Sequence, residues 1–200
     1  MKTIGITGPT GAGKTTALRA LTGLGAAVID ADAMYHELLT DDEALKKALT
    51  DRFGTDILDR GGQVVSKWLG AIVFSDRKAL EDLNAITHKA IRTEIARRTA
   101  EAKAQGVPAV AIDAIRLIES GVGKDCDVIV GILAPKDLRI RRIMAREDIP
   151  ESYARKRVES QPDDAFYRAH CGAILENGPR DTAESFAARA LDLFRRILAD

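Results

Sequence analysis

At 200 residues the chain suits one α/β domain with sizeable insertions, and 46% hydrophobic residues are enough for an ordinary buried core. Lys+Arg and Asp+Glu both number 30, so the formal net charge is zero, which argues against a general nucleic-acid binder or a membrane-surface protein. Two cysteines, Cys126 and Cys171, make no metal framework and read as reduced thiols. No apolar run approaches bilayer length and no signal peptide precedes the first motif, so a soluble, cytoplasmic protein is expected, without membrane or nucleic-acid partners.

The first element is a short apolar strand, Ile4-Gly5-Ile6, followed by Gly8-Pro9-Thr10-Gly11-Ala12-Gly13-Lys14-Thr15 and a helix from Thr16. This fits G-x-x-x-x-G-K-S/T at every fixed position, in the strand–loop–helix context the motif requires. Its glycines free the backbone to turn successive N–H groups onto phosphate oxygens at a helix N-terminus. Gly8, Gly11, Ala12, Gly13, Lys14, Thr15 and Thr16 are therefore the nucleotide-binding candidates. Lys14 is suited to the β- and γ-phosphates of ATP, and the Thr15 hydroxyl to Mg²⁺.

Gly23 and Gly25 stop that helix, and a second strand, Ala26 to Ile29, ends in Asp30-Ala31-Asp32. Carboxylates at the C-terminal end of a parallel strand are well placed for chemistry, though either can instead cap the next helix. Residues 33 to 105 read as mostly helical. Thr40-Asp41-Asp42-Glu43 has capping-box spacing, Gly61-Gly62 forces a turn, Ser66 can cap a short helix through Phe74, and Ser75-Asp76 can cap a long one. Leu80, Leu83, Ile86, Ile91 and Ile95 mark the inward stripe of the long helix, with Asn84, Thr87, His88 and Arg92 on or beside it. Trp68 reads as packing.

Ala109 to Asp113 is a buried-type strand ending in an acid, like a Walker B element. Val128 to Leu133 is another strand, followed by Pro135 and a helix from 136 to about 145. Ala173 to Leu175 is the last short strand. The final helix opens at Asp181 and buries Phe186, Ala190, Leu191, Phe194, Ile197 and Leu198. Strands alternating with helices give an α/β, three-layer P-loop fold with a parallel five-stranded sheet. That topology sends the P-loop, Asp30, Asp32 and Asp113 to one sheet edge. The basic stretch 136 to 157 supplies Arg142 and Arg146, four apart on one helical face beside the break at Glu147 to Pro150, as in a lid closing over phosphates. Arg139 and Arg141 read as a solvated helix face.

Two classes of activity fit: phosphoryl transfer to a small molecule, or a nucleotide-driven switch or mechanical ATPase. A guanine-reading N-K-x-D is absent, and the chain is short for a mechanical ATPase. A small-molecule kinase is the better fit.

The chain also resembles the dephospho-CoA kinase family over nearly its whole length. The resemblance rests on Gly5 to Gly8 with Lys14-Thr15-Thr16, Leu24 to Asp32, Leu69 to Asp76, Leu83 to His88, Arg142 to Arg146, Arg157 with Gln161, and Asn177-Gly178. It implies transfer of the ATP γ-phosphate to the 3′-hydroxyl of the ribose of dephospho-CoA. It further implies one P-loop kinase domain across 1 to 200, with a helical substrate-binding part over 33 to 105 and a lid over 146 to 160. Asp32, Lys14, Arg142 and Arg146 would be catalytic, and Asp30, Asp32, Asn84, His88, Arg92 and Asp113 would meet the acceptor. Asp32 stands where the strand gives way to the helical insertion and matches the family's acid. The alternative is another P-loop kinase acting on a nucleotide or small metabolite. The sequence departs from the family pattern at Ser66, Lys89, Gly172 and the run Asp113 to Glu119.

Overall fold

A computed structural model describes residues 1–200. The chain divides into two compact units, one formed by Met1–Ile29 with Glu101–Asp200 and the other by Asp30–Ala100.

The first unit is built on a sheet with strand order β2-β3-β1-β4-β5, where β1 is Lys2–Thr7, β2 Ala27–Asp30, β3 Ala109–Asp113, β4 Val128–Leu133 and β5 Ala173–Glu176. The pairings of β1 with β3, β1 with β4, and β4 with β5 are all parallel. Parallel strands need crossovers: β1, β4 and β5 lead through loops into the helices at 14–23, 136–147 and 183–199, whereas β2 runs directly into the helix at 31–41 and β3 leads through a loop with one short 3-10 turn to β4. Alternate residues sort the two faces. Ile4, Ile6, Ala109, Ala111, Val130 and Ile132 face Ala17 and Leu21 of α1 (Lys14–Gly23) and Phe186, Ala190 and Phe194 of α9 (Ala183–Ala199). Each such fully buried Ile, Leu or Phe contributes about 1.5–3 kcal/mol. The other face is tight against loop side chains: a Cβ on Gly5 would stand 2.6 Å from Leu117 Cδ2, and one on Gly131 would stand 2.9 Å from Cys171 Sγ.

The helical unit comprises α2 (Ala31–Asp41), α3 (Glu43–Phe53), α4 (Ser66–Val73) and most of α5 (Arg77–Ala104). Its core is Leu39, Leu45, Leu49, Ile57, Leu69, Val73 and Ala79, with Leu83, Ile86 and Ala90 packed against it. Arg52 bonds Asp82 at 2.8 Å, and Arg98 bonds both Glu94 and Glu37, so α2, α3 and α5 are also tied by charge. No helix is long and apolar enough to cross a membrane.

Several sequence expectations change. Thr40 lies inside α2, its hydroxyl donating to His36 O. Asp42 alone caps α3, accepting from the N–H groups of Ala44 and Leu45. Ser66 is the first residue of α4 and caps nothing. Asp76 accepts from the N–H groups of Lys78 and Ala79 at the start of α5, whereas Ser75 donates back to α4. Leu80 is exposed and Ala79 takes the buried place, because the stripe is set by which turn first meets the core of α3 and α4. Trp68 is 45% exposed and so is not core packing. Thr182, with Ser185, forms the capping box of α9, while Asp181 accepts from Gly178 N and pairs with Arg189. The segment 151–170 contains two helices that no periodicity had marked, α7 (Glu151–Glu159) and α8 (Asp164–His170).

Candidate functional site

The P-loop begins where β1 ends. Gly8 has φ +137°, and a Cβ there would stand 2.1 Å from Ile132 O, so the loop can leave the sheet only past β4's bare backbone. Gly13 caps α1 in the left-handed region, where a Cβ would meet Asn177 Nδ2 at 2.4 Å. The first turn of α1 holds no acid and no side-chain cap, which leaves the positive end of its dipole for an anion, while the N–H groups of Thr16 and Ala17 bond Gly13 O. Ala12 is buried, Thr16 is half-buried, and Thr15 is exposed in the first helical turn. Lys14 Nζ donates to Gly8 O at 2.9 Å, so its ammonium stays on the loop it belongs to.

Three side chains brace this loop. Arg142, on α6 (Lys136–Glu147), donates from Nη1 to Gly11 O at 3.2 Å and to Ala12 O at 3.5 Å, and from Nη2 to Asn177 Oδ1 at 3.1 Å. Asn177 Nδ2 donates in turn to Ala12 O at 2.9 Å, and its own N–H bonds Leu133 O at 2.7 Å. Gln161 clasps the loop apex: its Oε1 accepts from Thr10 N and its Nε2 donates to Thr10 Oγ1, both at 3.0 Å. Asn177 and Gln161 lie in stretches that carry the family resemblance, yet no local pattern gives them a role. Their partners on the P-loop, Ala12 and Thr10, are more than a hundred residues away. Burial draws the Arg142 pKa below the usual arginine value, with Asp181 opposing that shift.

The corner after α6 turns on Asp148, the one non-glycine residue at positive φ. Here Glu147 receives Arg146 at 2.6 Å and Arg157 of α7 at 2.5 Å. Arg146 is exposed, in contrast to its half-buried neighbour one turn earlier. The sequence placed Arg139 on a solvated face, but it is 1% exposed and lies against the P-loop. A helical face is exposed only where nothing covers it, and this one has the P-loop at Gly11 against it, with Asp164 and Tyr167 of α8 near its guanidinium. Asp113 is half-buried at the end of β3, opposite Ile6 in the β1–β3 register, and Thr7 Oγ1 donates to Ala114 O just beyond it.

The remaining candidates lie in the helical unit. Asp30 is the cap of α2, its Oδ1 accepting from Asp32 N at 3.0 Å and Ala33 N at 2.9 Å. Its carboxylate is thereby committed to the backbone, and Asp32 occupies the first turn. Asn84, His88 and Arg92 follow at four-residue steps along one face of α5, the first two half-buried and the third exposed. Thr87 is buried and bonds Leu83 O within the helix.

No cluster of three His, Cys, Asp or Glu side chains could hold a metal ion. The exposed Thr15 hydroxyl is a donor of the kind that would hold Mg²⁺, a reluctantly dehydrated ion that would otherwise be held by phosphate and water. Both cysteines are free thiols: burial first, then Asp125 and Asp127, push Cys126 up to about 12, and burial pushes Cys171 to about 11.

Known proteins resemble this chain over most of its length. A curated dephospho-CoA kinase from Corynebacterium diphtheriae is 36% identical over 188 residues, covering 94% of each chain. One from Geobacter sulfurreducens is 37% identical over 177 residues, covering 88% of this chain and 90% of its own. A crystal structure of a Thermus thermophilus protein superposes with a TM-score of 0.79 at 27% identity, covering 98% of this chain and 97% of that one. Residues 2–181 match the family described as dephospho-CoA kinase, and the chain belongs to that family.

Proposed function

We propose that the protein transfers the γ-phosphoryl group of ATP to the 3′-hydroxyl of the ribose of dephospho-CoA, giving coenzyme A and ADP. The observation that carries this is a family match spanning residues 2–181 on a chain whose P-loop leaves the α1 N-terminus open to an anion. Such a reaction asks little covalent chemistry of the protein; it needs positioning and charge stabilisation.

In this reading the N–H groups from Gly11 to Thr16 hold the phosphates, and Lys14 turns from Gly8 O to the β- and γ-oxygens. Mg²⁺, held by Thr15 and the phosphates, would neutralise developing charge. Arg142 and Asn177 keep the loop in shape from behind, which adds a structural duty to the phosphate contact expected from sequence. Arg146 is released from Glu147 when the 146–160 corner closes as a lid. The helical unit receives the acceptor, with Asn84, His88 and Arg92 as its contacts, and Asp113 of the sheet unit is a further candidate contact. Asp32 orients the hydroxyl and accepts its proton late, since Asp30 is already spent on two backbone donors. Nothing in this scheme calls for nucleic acid or a membrane, and the two free thiols suit a cytoplasmic setting.

The test is ADP release from purified protein and ATP with dephospho-CoA, shikimate, AMP or thymidylate as acceptor. Turnover is expected with dephospho-CoA. Equal or greater turnover with any of the others would replace this acceptor.

A further inference from the structure

Arg139 is the largest fully buried side chain of the protein, yet neither its Nε nor its Nη1 has a hydrogen-bond partner. The groups near enough to act on it electrostatically are Asp164 and Tyr167 of α8, and neither forms an ion pair or hydrogen bond with it. Tyr167 is neutral at physiological pH, its hydroxyl pushed up to about 12 chiefly by burial. Only Asp164 therefore opposes the guanidinium charge, through space. A buried, unpaired cation is among the most unfavourable arrangements in a folded protein. The same helix offers exposed places for an arginine two and seven residues further on, which Arg141 and Arg146 use.

The position of Arg139 is what gives the charge a use. A Cβ on Gly11 would stand 3.0 Å from Arg139 O and 3.1 Å from both its Cα and its Cβ. The P-loop backbone thus lies directly on this residue, and the guanidinium is within one side-chain length of the loop. Low-dielectric surroundings weaken screening, so the charge acts on whatever the loop holds.

We propose that Arg139 is a positioning residue of the nucleotide site: a buried charge that destabilises the empty protein and strengthens its hold on polyphosphate. The bound phosphates supply the counter-charge that the fold withholds. This rests on the P-loop being an ATP site, and it goes beyond that reading by naming a residue that never touches the nucleotide. Two consequences separate it from simple packing. The effect on affinity rises with the number of phosphates, and the unliganded protein gains stability when the charge is removed.

The experiment measures affinities for ATP, ADP and adenosine by calorimetry or competition, and thermal unfolding without ligand, for wild type, Arg139→Met and Arg139→Lys. Arg139→Met is expected to weaken ATP about tenfold, ADP less, and adenosine not at all, and to raise the unliganded Tm. Arg139→Lys, which keeps the charge, should hold ATP affinity within about threefold of wild type. Should Arg139→Met fail to fold, Arg139→Gln removes the charge while keeping a polar end and must show the same graded loss. Equal fold-changes for all three ligands, or unchanged ATP affinity, would overturn the proposal, as would a lower unliganded Tm in both neutral variants. A wild-type protein that binds no ATP overturns the nucleotide-site reading itself.

Discussion

Asp30 and Asp32 show how much a two-residue offset decides. Asp30 accepts two backbone N–H groups at the start of α2, so Asp30→Ala should lower stability by about 1 kcal/mol, as loss of a helix cap does. Asp30→Asn should be nearly silent, because asparagine caps as well as aspartate. If Asp32 is the proton acceptor, Asp32→Asn should leave ATP affinity almost intact and lower kcat by about 10²–10⁴. Denaturant unfolding with steady-state kinetics on the three variants checks both. A larger kcat loss in Asp30→Asn than in Asp32→Asn would exchange the roles. Lys14 is the simpler case. In the proposed reaction its charge, turned from Gly8 O to the β- and γ-phosphates, would stabilise the transition state, so Lys14→Ala should cut the rate by about 10²–10³. Near wild-type turnover in that variant would remove the P-loop from the mechanism.

At the scale of elements, α6 joins the P-loop to the corner after it. Arg142 bonds Gly11 O, Ala12 O and Asn177 Oδ1 at once, which a planar fork can do and a single ammonium cannot. Arg142→Lys should therefore raise KM for ATP and loosen the loop, and Asn177→Ala should do the same by removing the bond from Nδ2 to Ala12 O. Hydrogen-exchange protection at residues 10 to 16, measured with the kinetics, distinguishes loop loosening from loss of a phosphate contact alone. Unchanged exchange in both variants would assign Arg142 to the substrate only. The basic spacing around Arg142 was visible in the sequence, and so was the helix break after Glu147. The burial of Arg139 was not. It depends on chain from elsewhere, the P-loop at Gly11 and Asp164 and Tyr167 of α8, meeting a face that the sequence of α6 alone would give to water.

At the scale of the molecule, the helical unit carries its own charge network. Arg97 and Arg98 on α5 hold the Glu94 carboxyl at about 2, against some opposition from burial. A depressed carboxylate pKa contributes stability that is present above the unfolded value, near 4.5, and is lost as pH falls toward 2. Acid should therefore lower the stability of this unit progressively between those values, and Glu94→Gln should flatten that dependence while lowering stability at neutral pH. Circular dichroism melts at stepped pH, wild type against variant, check it. Parallel pH profiles for the two proteins would mean that Glu94 is not the titrating group.

The sequence by itself determined the P-loop, the parallel α/β architecture, the strand positions and the family, because each is written in neighbouring residues: a glycine-rich turn, an apolar run, a spacing along one helix. It also placed carboxylates at strand ends. Only the tertiary structure decided which polar groups are committed to the backbone and which are left for chemistry. Asp30 as a cap, Asn177 and Gln161 as braces of the loop, Glu147 between two arginines, and Arg139 without a partner all depend on chain segments meeting in space. Hydrogen bonding and burial are properties of what covers a side chain, and for a segment such as 161–170 the covering partner lies elsewhere in the sequence.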